Sequence, residues 1–241
     1  MTIGVRVEAV DWSTVANCLT RGDTAVVAIG AAAKEHGWHL PMATDYLQAE
    51  ALVDQLIAEL TLVAWPTLSY GYYPVFVDYP GSISLREEVF QALVSDVIDG
   101  IFHAGATRLA LLNTGISTIR PLQALLATHR HRVATRLINI YSGPRVSQAR
   151  ERHLQQAFGG HADEFETSIL LALAPECVHL TRAVPQATHI ERGVFNRHDP
   201  QAPNYTPSGV TGDPTLANAT KGAAFWEAIY KDVREALEQA W

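Results

Sequence analysis

Cysteine is nearly absent, with Cys18 and Cys177 alone in a chain of 241 residues. Two isolated thiols in no paired spacing exclude both a disulfide framework and a thiolate zinc site, and each reads as a small buried residue. Basic charge is also short: 18 Lys and Arg face 25 Asp and Glu, for a formal net charge of -7. Nucleic acid is therefore not an expected partner, since neutralising phosphates needs a basic face. No uninterrupted apolar run is long enough to span a bilayer, and the opening MTIGVRVEAVDW carries acidic and polar residues. The expected setting is the reducing cytoplasm, with no membrane involved. Linkers, internal repeats and low-complexity tracts are missing too, so residues 1–241 read as one domain, and 48% hydrophobic content supplies its core.

What is present is an alternation of strand-like and helix-like segments. TAVVAIG, Thr24 to Gly30, is a short apolar run rich in β-branched residues, and Tyr46 to Leu60 has apolar residues at helical spacing. TLVAWP reads as a buried strand, followed by a helix that opens with a Ser84-x-x-Glu87 capping box and runs to the glycine of HAG. RLALLNTG, a helix through Ile119 to Thr128 and the strand TRLINIYS repeat the pattern, and FWEAIYKDVREALEQAW predicts a terminal helix packed on the sheet. Such alternation predicts an α/β fold, a mostly parallel sheet with helices on both faces. The irregular stretch from Arg192 to Asp213 reads as a long surface loop that covers a site.

Ligands of open parallel sheets sit outside the carboxyl ends of the strands, which directs attention to the loops after Gly30, Asn113 and Ser142. The first is KEHGWHLPMATD, Lys34 to Asp45. Imidazole and carboxylate together suit zinc, manganese or iron, so His36, His39 and Asp45 are candidate ligands. Asp45 with Gln48 also fits a helix N-cap with its capping box, and both readings stand. A second cluster, HADEFETS from His161 to Ser168, precedes an apolar helix. Asp163 and Glu166 satisfy a capping box, while His161, Glu164 and Glu166 place a base and acids at a helix start, where active-site groups gather.

The order and wording of these segments resemble the creatininase family. Its G-S-x-E-Q-H-G-P-H-L-P-x-x-T-D stands here as GAAAKEHGWHLPMATD, and its F-P-G-T-I-S-L as YPGSISL, Tyr79 to Leu85. Its H-A-G-x-x-E-T-S stands as HADEFETS, and its G-V-x-G-D-P-x-x-A as GVTGDPTLA, Gly209 to Ala217. The resemblance implies a creatininase-like α/β sandwich, assembly as a homo-oligomer (a hexamer in many members), and metal-dependent hydrolysis of C–N bonds in a small cyclic amide or related compound. It places a bridging metal ligand at Asp45 and a neighbouring ligand at His36.

Departures from the family pattern fall on the ligands of one metal. The family glutamate two residues before His36 is Lys34, with a glutamate moved to Glu35; the histidine of N-G-H is Gly115, and the further glutamate of creatininase itself is Ser117. The expectation is a reduced site: one divalent metal, Zn or Mn, per chain at His36, Asp45 and Glu166, with the Lys34 ammonium as a fixed charge. Resemblance assigns His161 as the proton carrier, beside Lys34 and Glu35 as catalytic groups. His39, Trp38, Asn113 and Ser117 are the candidate substrate-binding residues, with Tyr70, Tyr72 and Tyr73 as possible pocket walls. His189 and His198 read as exposed histidines. Two other readings stay open: a metal-free, non-catalytic small-molecule-binding homologue, and a ring-opening or condensing enzyme on a non-amide substrate.

Overall fold

Strands with no polar alternation need cover on both faces. In the computed structural model, which describes residues 3–186 and 193–241, they have it. Strands β1 (Val5–Arg6), β2 (Thr24–Ile29), β3 (Leu62–Leu68), β4 (Leu109–Asn113) and β5 (Thr135–Asn139) form one sheet in the order β1-β3-β2-β4-β5. All its pairings are parallel, and β2 lies at the centre, aligned with β4 from Ala25↔Leu109 to Ile29↔Asn113.

The helices are α1 (Trp12–Thr20), α2 (Thr44–Glu59), α3 (Glu87–His103), α4 (Ile119–Thr128), α5 (Pro144–His153), α6 (Glu164–Leu173) and α7 (Ala219–Glu238). Alternate residues of one strand feed opposite layers. Val26 and Ala28 pack with Leu52 and Leu56 of α2, Ile169 of α6 and Phe225 of α7. Val27 and Ile29 pack with Phe90, Val94 and Ile98 of α3 and Leu122 of α4. Among the described residues no helix is long and apolar enough to cross a membrane. The chain runs from β2 through α2 to β3 on one side, then through α3 to β4 on the other. That reversal opens a crevice at the carboxyl ends of β2 and β4, the place where such sheets bind ligands.

Several local expectations are corrected. The Ser84 box does not form: α3 starts after Arg86 with no side-chain cap, and Ser84 Oγ accepts the Tyr73 N–H instead, at 2.9 Å. Asp45 is not an N-cap, because α2 begins one residue earlier and its cap position is Ala43. Asp163 does cap α6, accepting from the Phe165 and Glu166 N–H groups, while Glu166 reaches back to the Ala162 N–H rather than closing the box. Helix α7 packs chiefly on α5 and α6. Cys18 is buried but Cys177 only half-buried. The described part of the 192–213 stretch is more than a surface loop, since Thr206, Ser208 and Val210 are buried. Arg192 and His189 lie outside the described residues; His198 is exposed, as expected.

Candidate active site

The loop after β2 and the segment before α6 carry their ionisable groups into one buried place. Lys34, Glu35, His36, Asp45, His161 and Glu166 are all buried there, and His36 and Asp45 are fully shielded. Two halves can be distinguished by their contacts.

In the first half, Lys34 Nζ lies 2.6 Å from Asp45 Oδ2, over the faces of Phe76 and Tyr73 at 5.0 and 5.7 Å from the ring centroids. The charge-helping location of Asp45 in the first turn of α2 is thus secondary to a direct ion pair. Burial opposes ionisation of Asp45, but Lys34 and then His36 outweigh it and hold the carboxyl below the ordinary range. His36 sets Nδ1 3.0 Å from the Lys34 carbonyl oxygen and Nε2 3.1 Å from Asp45 Oδ1. A neutral imidazole has one N–H, so a ring facing two acceptors has room for a proton or a metal cation at Nε2.

In the second half, His161 Nε2 lies 2.7 Å from Glu35 Oε1 and 2.9 Å from the Glu35 carbonyl oxygen. Its Nδ1 faces Glu166 Oε2 at 3.7 Å. Burial works against the imidazolium, yet Glu35 prevails and raises the His161 pKa. Burial likewise works against charge on Glu35, and His161 with the Gly37 N–H lowers it. Glu35 therefore serves His161 and does not stand in for the family glutamate beside Asp45. The late glycine motif explains itself here: Gly209 has φ +84, and a Cβ on it would overlap the Glu35 carboxylate. Ala162, between the two halves of HADE, has φ +49, a left-handed conformation that costs a non-glycine residue on the order of 1–3 kcal/mol. The Ala162 N–H donates to Glu166 Oε2 at 2.5 Å, which helps hold it there.

His36, His161 and Glu166 form one compact group, with one ligand atom from each within 4.8 Å of the others. The structure thus brings His36 and Glu166 together with His161, while Asp45 meets this group through His36 Nε2 and pairs with Lys34 on its other oxygen. Of the other candidates, Ser117 lines a small cavity of about 40 Å³ with Lys34, Tyr73, His161 and Glu166. Asn113 borders a larger one of about 220 Å³, but its amide is spent on Gly115, Asn139 and Thr118. His39 lines neither cavity: it is buried with Nε2 2.8 Å from Thr167 Oγ1, and burial, followed by His36 and His161, lowers its pKa to about 4. Trp38 is 47% exposed and lines neither. Glu164 is structural, its carboxylate taken by the Gln155 and Gln156 N–H groups and by Lys221. Among the lining residues that sequence reading did not single out are Phe76 and Arg150.

Known proteins resemble the chain over nearly its whole length. The sequence profile of the creatininase family, described as creatinine amidohydrolase, matches residues 8–237. A creatinine amidohydrolase of Pseudomonas putida is 26% identical over 99% of this chain and 98% of its own length. A 3-dehydro-scyllo-inosose hydrolase of Thermotoga maritima is 25% identical over 98% of this chain and 85% of its own. The solved structure of a manganese creatininase superposes with TM-score 0.81 at 22% identity, covering 97% of each chain. With the profile spanning nearly the whole fold and its motifs converging on one buried site, the chain belongs to the creatininase family of hydrolases.

Proposed function

We propose that this hydrolase opens a C–N bond of a small cyclic amide or related compound with one divalent metal, zinc or manganese, per chain. The observation that carries the reading is the convergence of His36, Asp45, His161 and Glu166, buried together at the carboxyl ends of β2 and β4. The side chains suit such a cation: His36 Nε2 and Asp45 Oδ1 stand 3.1 Å apart, and His36 and Glu166 offer ligand atoms within 4.8 Å of each other. His36, Asp45 and Glu166 would hold the metal. Bound there, it would supply Lewis-acid activation of water and of the substrate carbonyl.

The chain's own groups supply the rest. Lys34 takes the other oxygen of Asp45 and so stands where a second cation would share that carboxylate. The matching loss at Gly115 supports the same reading, because a Cβ there would come 2.7 Å from Thr118 Oγ1 and 3.4 Å from Tyr73, so neighbours have closed the space. His161, held through Nε2 by Glu35, keeps Nδ1 for carrying a proton to the departing nitrogen. Phe76 at 4.4 Å from the His161 ring screens that face from water. The homo-oligomer implied by family resemblance is supported by exposed Trp12, Trp38, Val77 and Ile116; a monomer on sedimentation would rule it out.

A second reading, a metal-free small-molecule-binding protein, is favoured by the Lys34–Asp45 pair, which balances charge without a metal. A ring-opening reaction on a non-amide draws support from the inosose hydrolase relative. Elemental analysis after incubation with zinc or manganese, paired with an amide screen, decides among these. About one metal per chain in the wild type, lost in His36→Ala and Asp45→Asn but kept in His161→Asn, is the expected result. No metal after incubation would transfer the case to the metal-free reading, and metal with turnover only on cyclic ketones to the non-amide one.

A further inference from the structure

The larger cavity contains a cation that the chemistry above does not use. Arg150, on α5, lines it with Asn139, Ser142, Asp163 and Glu166. The guanidinium lies 4.6 Å over the Phe165 ring, and it is the one partly buried arginine among the described residues with no hydrogen bond or ion pair to a carboxylate or carbonyl, its charge acting on Asp163 only at longer range. Arg132, Arg152 and Arg182, which also lack one, are exposed. The acids nearby are otherwise engaged. Asp163 accepts from the Phe165 and Glu166 N–H groups and from Gln156 Nε2, and Glu166 from the Ala162 N–H. Asn139 gives its Oδ1 to Asn113 Nδ2 at 2.9 Å, which leaves its own N–H donors, and Ser142 is exposed at the rim.

A planar guanidinium fixed by stacking is a ready-made fork for a carboxylate. We propose that Arg150, helped by Asn139 Nδ2 and Ser142 Oγ, binds an acid group of the substrate, so that the substrate class is small cyclic amides bearing a carboxylate. The proposal rests on the hydrolase reading for its amide half only. Both cavities share Thr114, Gly115, Ile116, Gly160 and Glu166, so a molecule anchored at Arg150 extends toward Glu166 and His161. One guanidinium balances one charge, and walls carrying Asp163 and Glu166 oppose a phosphate dianion.

The test is calorimetric binding to the zinc-supplied full chain, using ligand pairs that differ only in charge: 2-pyrrolidone-5-carboxylate against its carboxamide, and hydantoin-5-acetate against hydantoin-5-acetamide. Wild type is expected to prefer the acids by about tenfold or more. Arg150→Gln should erase the preference with affinity for the amides kept, and Arg150→Lys should restore part of it. No preference for acids in wild type, including no binding of any of the four, or a preference that survives Arg150→Gln, overturns the assignment. Binding is read without turnover: acid preference without hydrolysis of any amide would defeat the hydrolase reading alone, and hydrolysis without acid preference would defeat this one alone.

Discussion

Two lysine–carboxylate pairs of this molecule, each with a fully buried acid, are built to different standards. Lys221 meets Glu164, Gln155 Oε1 and the Leu216 carbonyl, while Glu164 also accepts two backbone N–H groups. Every strong donor and acceptor of that pair is used, as a pair that only holds structure requires. Among the described residues the direct contacts of the Lys34 ammonium are Asp45 and two ring faces. Its ammonium has donors to spare beside a cavity, which is a poor way to build a core and a good way to meet a ligand.

The contrast can be broken by substitution. Lys221→Met strands the Glu164 carboxylate in the interior and is expected to lower unfolding free energy by about 3–5 kcal/mol in urea titrations, with turnover per folded molecule unchanged. A turnover loss larger than the folded-fraction loss would erase the distinction.

His39 sharpens it by showing a group only half satisfied, with Nδ1 buried and no hydrogen-bond partner for it among the described residues. Its pKa of about 4 in the fold lies below the ordinary 6.5, so the unfolded chain binds more protons between those values. The His39 contribution is complete above pH 6.5 and lost as the pH falls toward 4, by about 3 kcal/mol in all. Urea midpoints between pH 7 and 4.5 should fall in wild type and fall less in His39→Gln; parallel curves would refute the assignment.

Lys34→Met is expected to reverse the Lys221 pattern. Turnover should drop about a hundredfold, from loss of a fixed charge at the reacting centre. With zinc present the urea midpoint should move less than in Lys221→Met, because a cation bound as proposed would still face Asp45. A larger stability loss and intact turnover would make Lys34 a structural residue.

Much of the frame was readable in the sequence because it is written in local patterns. The apolar run of β2 and the spacing of Ile119–Thr128 specify a strand and a helix by burial alone. Helix α5 gave no such signal, since PRVSQARERH is polar throughout with Val146 as its one buried residue, and Arg150 went unnoticed with it. The two-residue β1 is too short to show a period. Capping patterns at Ser84 and Asp45 misled for another reason. A cap is a local option, and at both places a distant group, the Tyr73 N–H or the Lys34 ammonium, outcompeted it. The motifs named residues that come together in the fold, but the pairing of Glu35 with His161 rather than with Asp45 depends on how Gly209 lets the carboxylate pass, a matter of three-dimensional packing.

The ammonium at Lys34 is joined to the chain by covalent bonds, whereas a metal ion is held only at equilibrium with its surroundings. No chelator can withdraw it, no competing ion can displace it, and its presence does not vary with supply. A site arranged around Asp45 in this way always has one positive neighbour in place, whatever the concentration of metal outside.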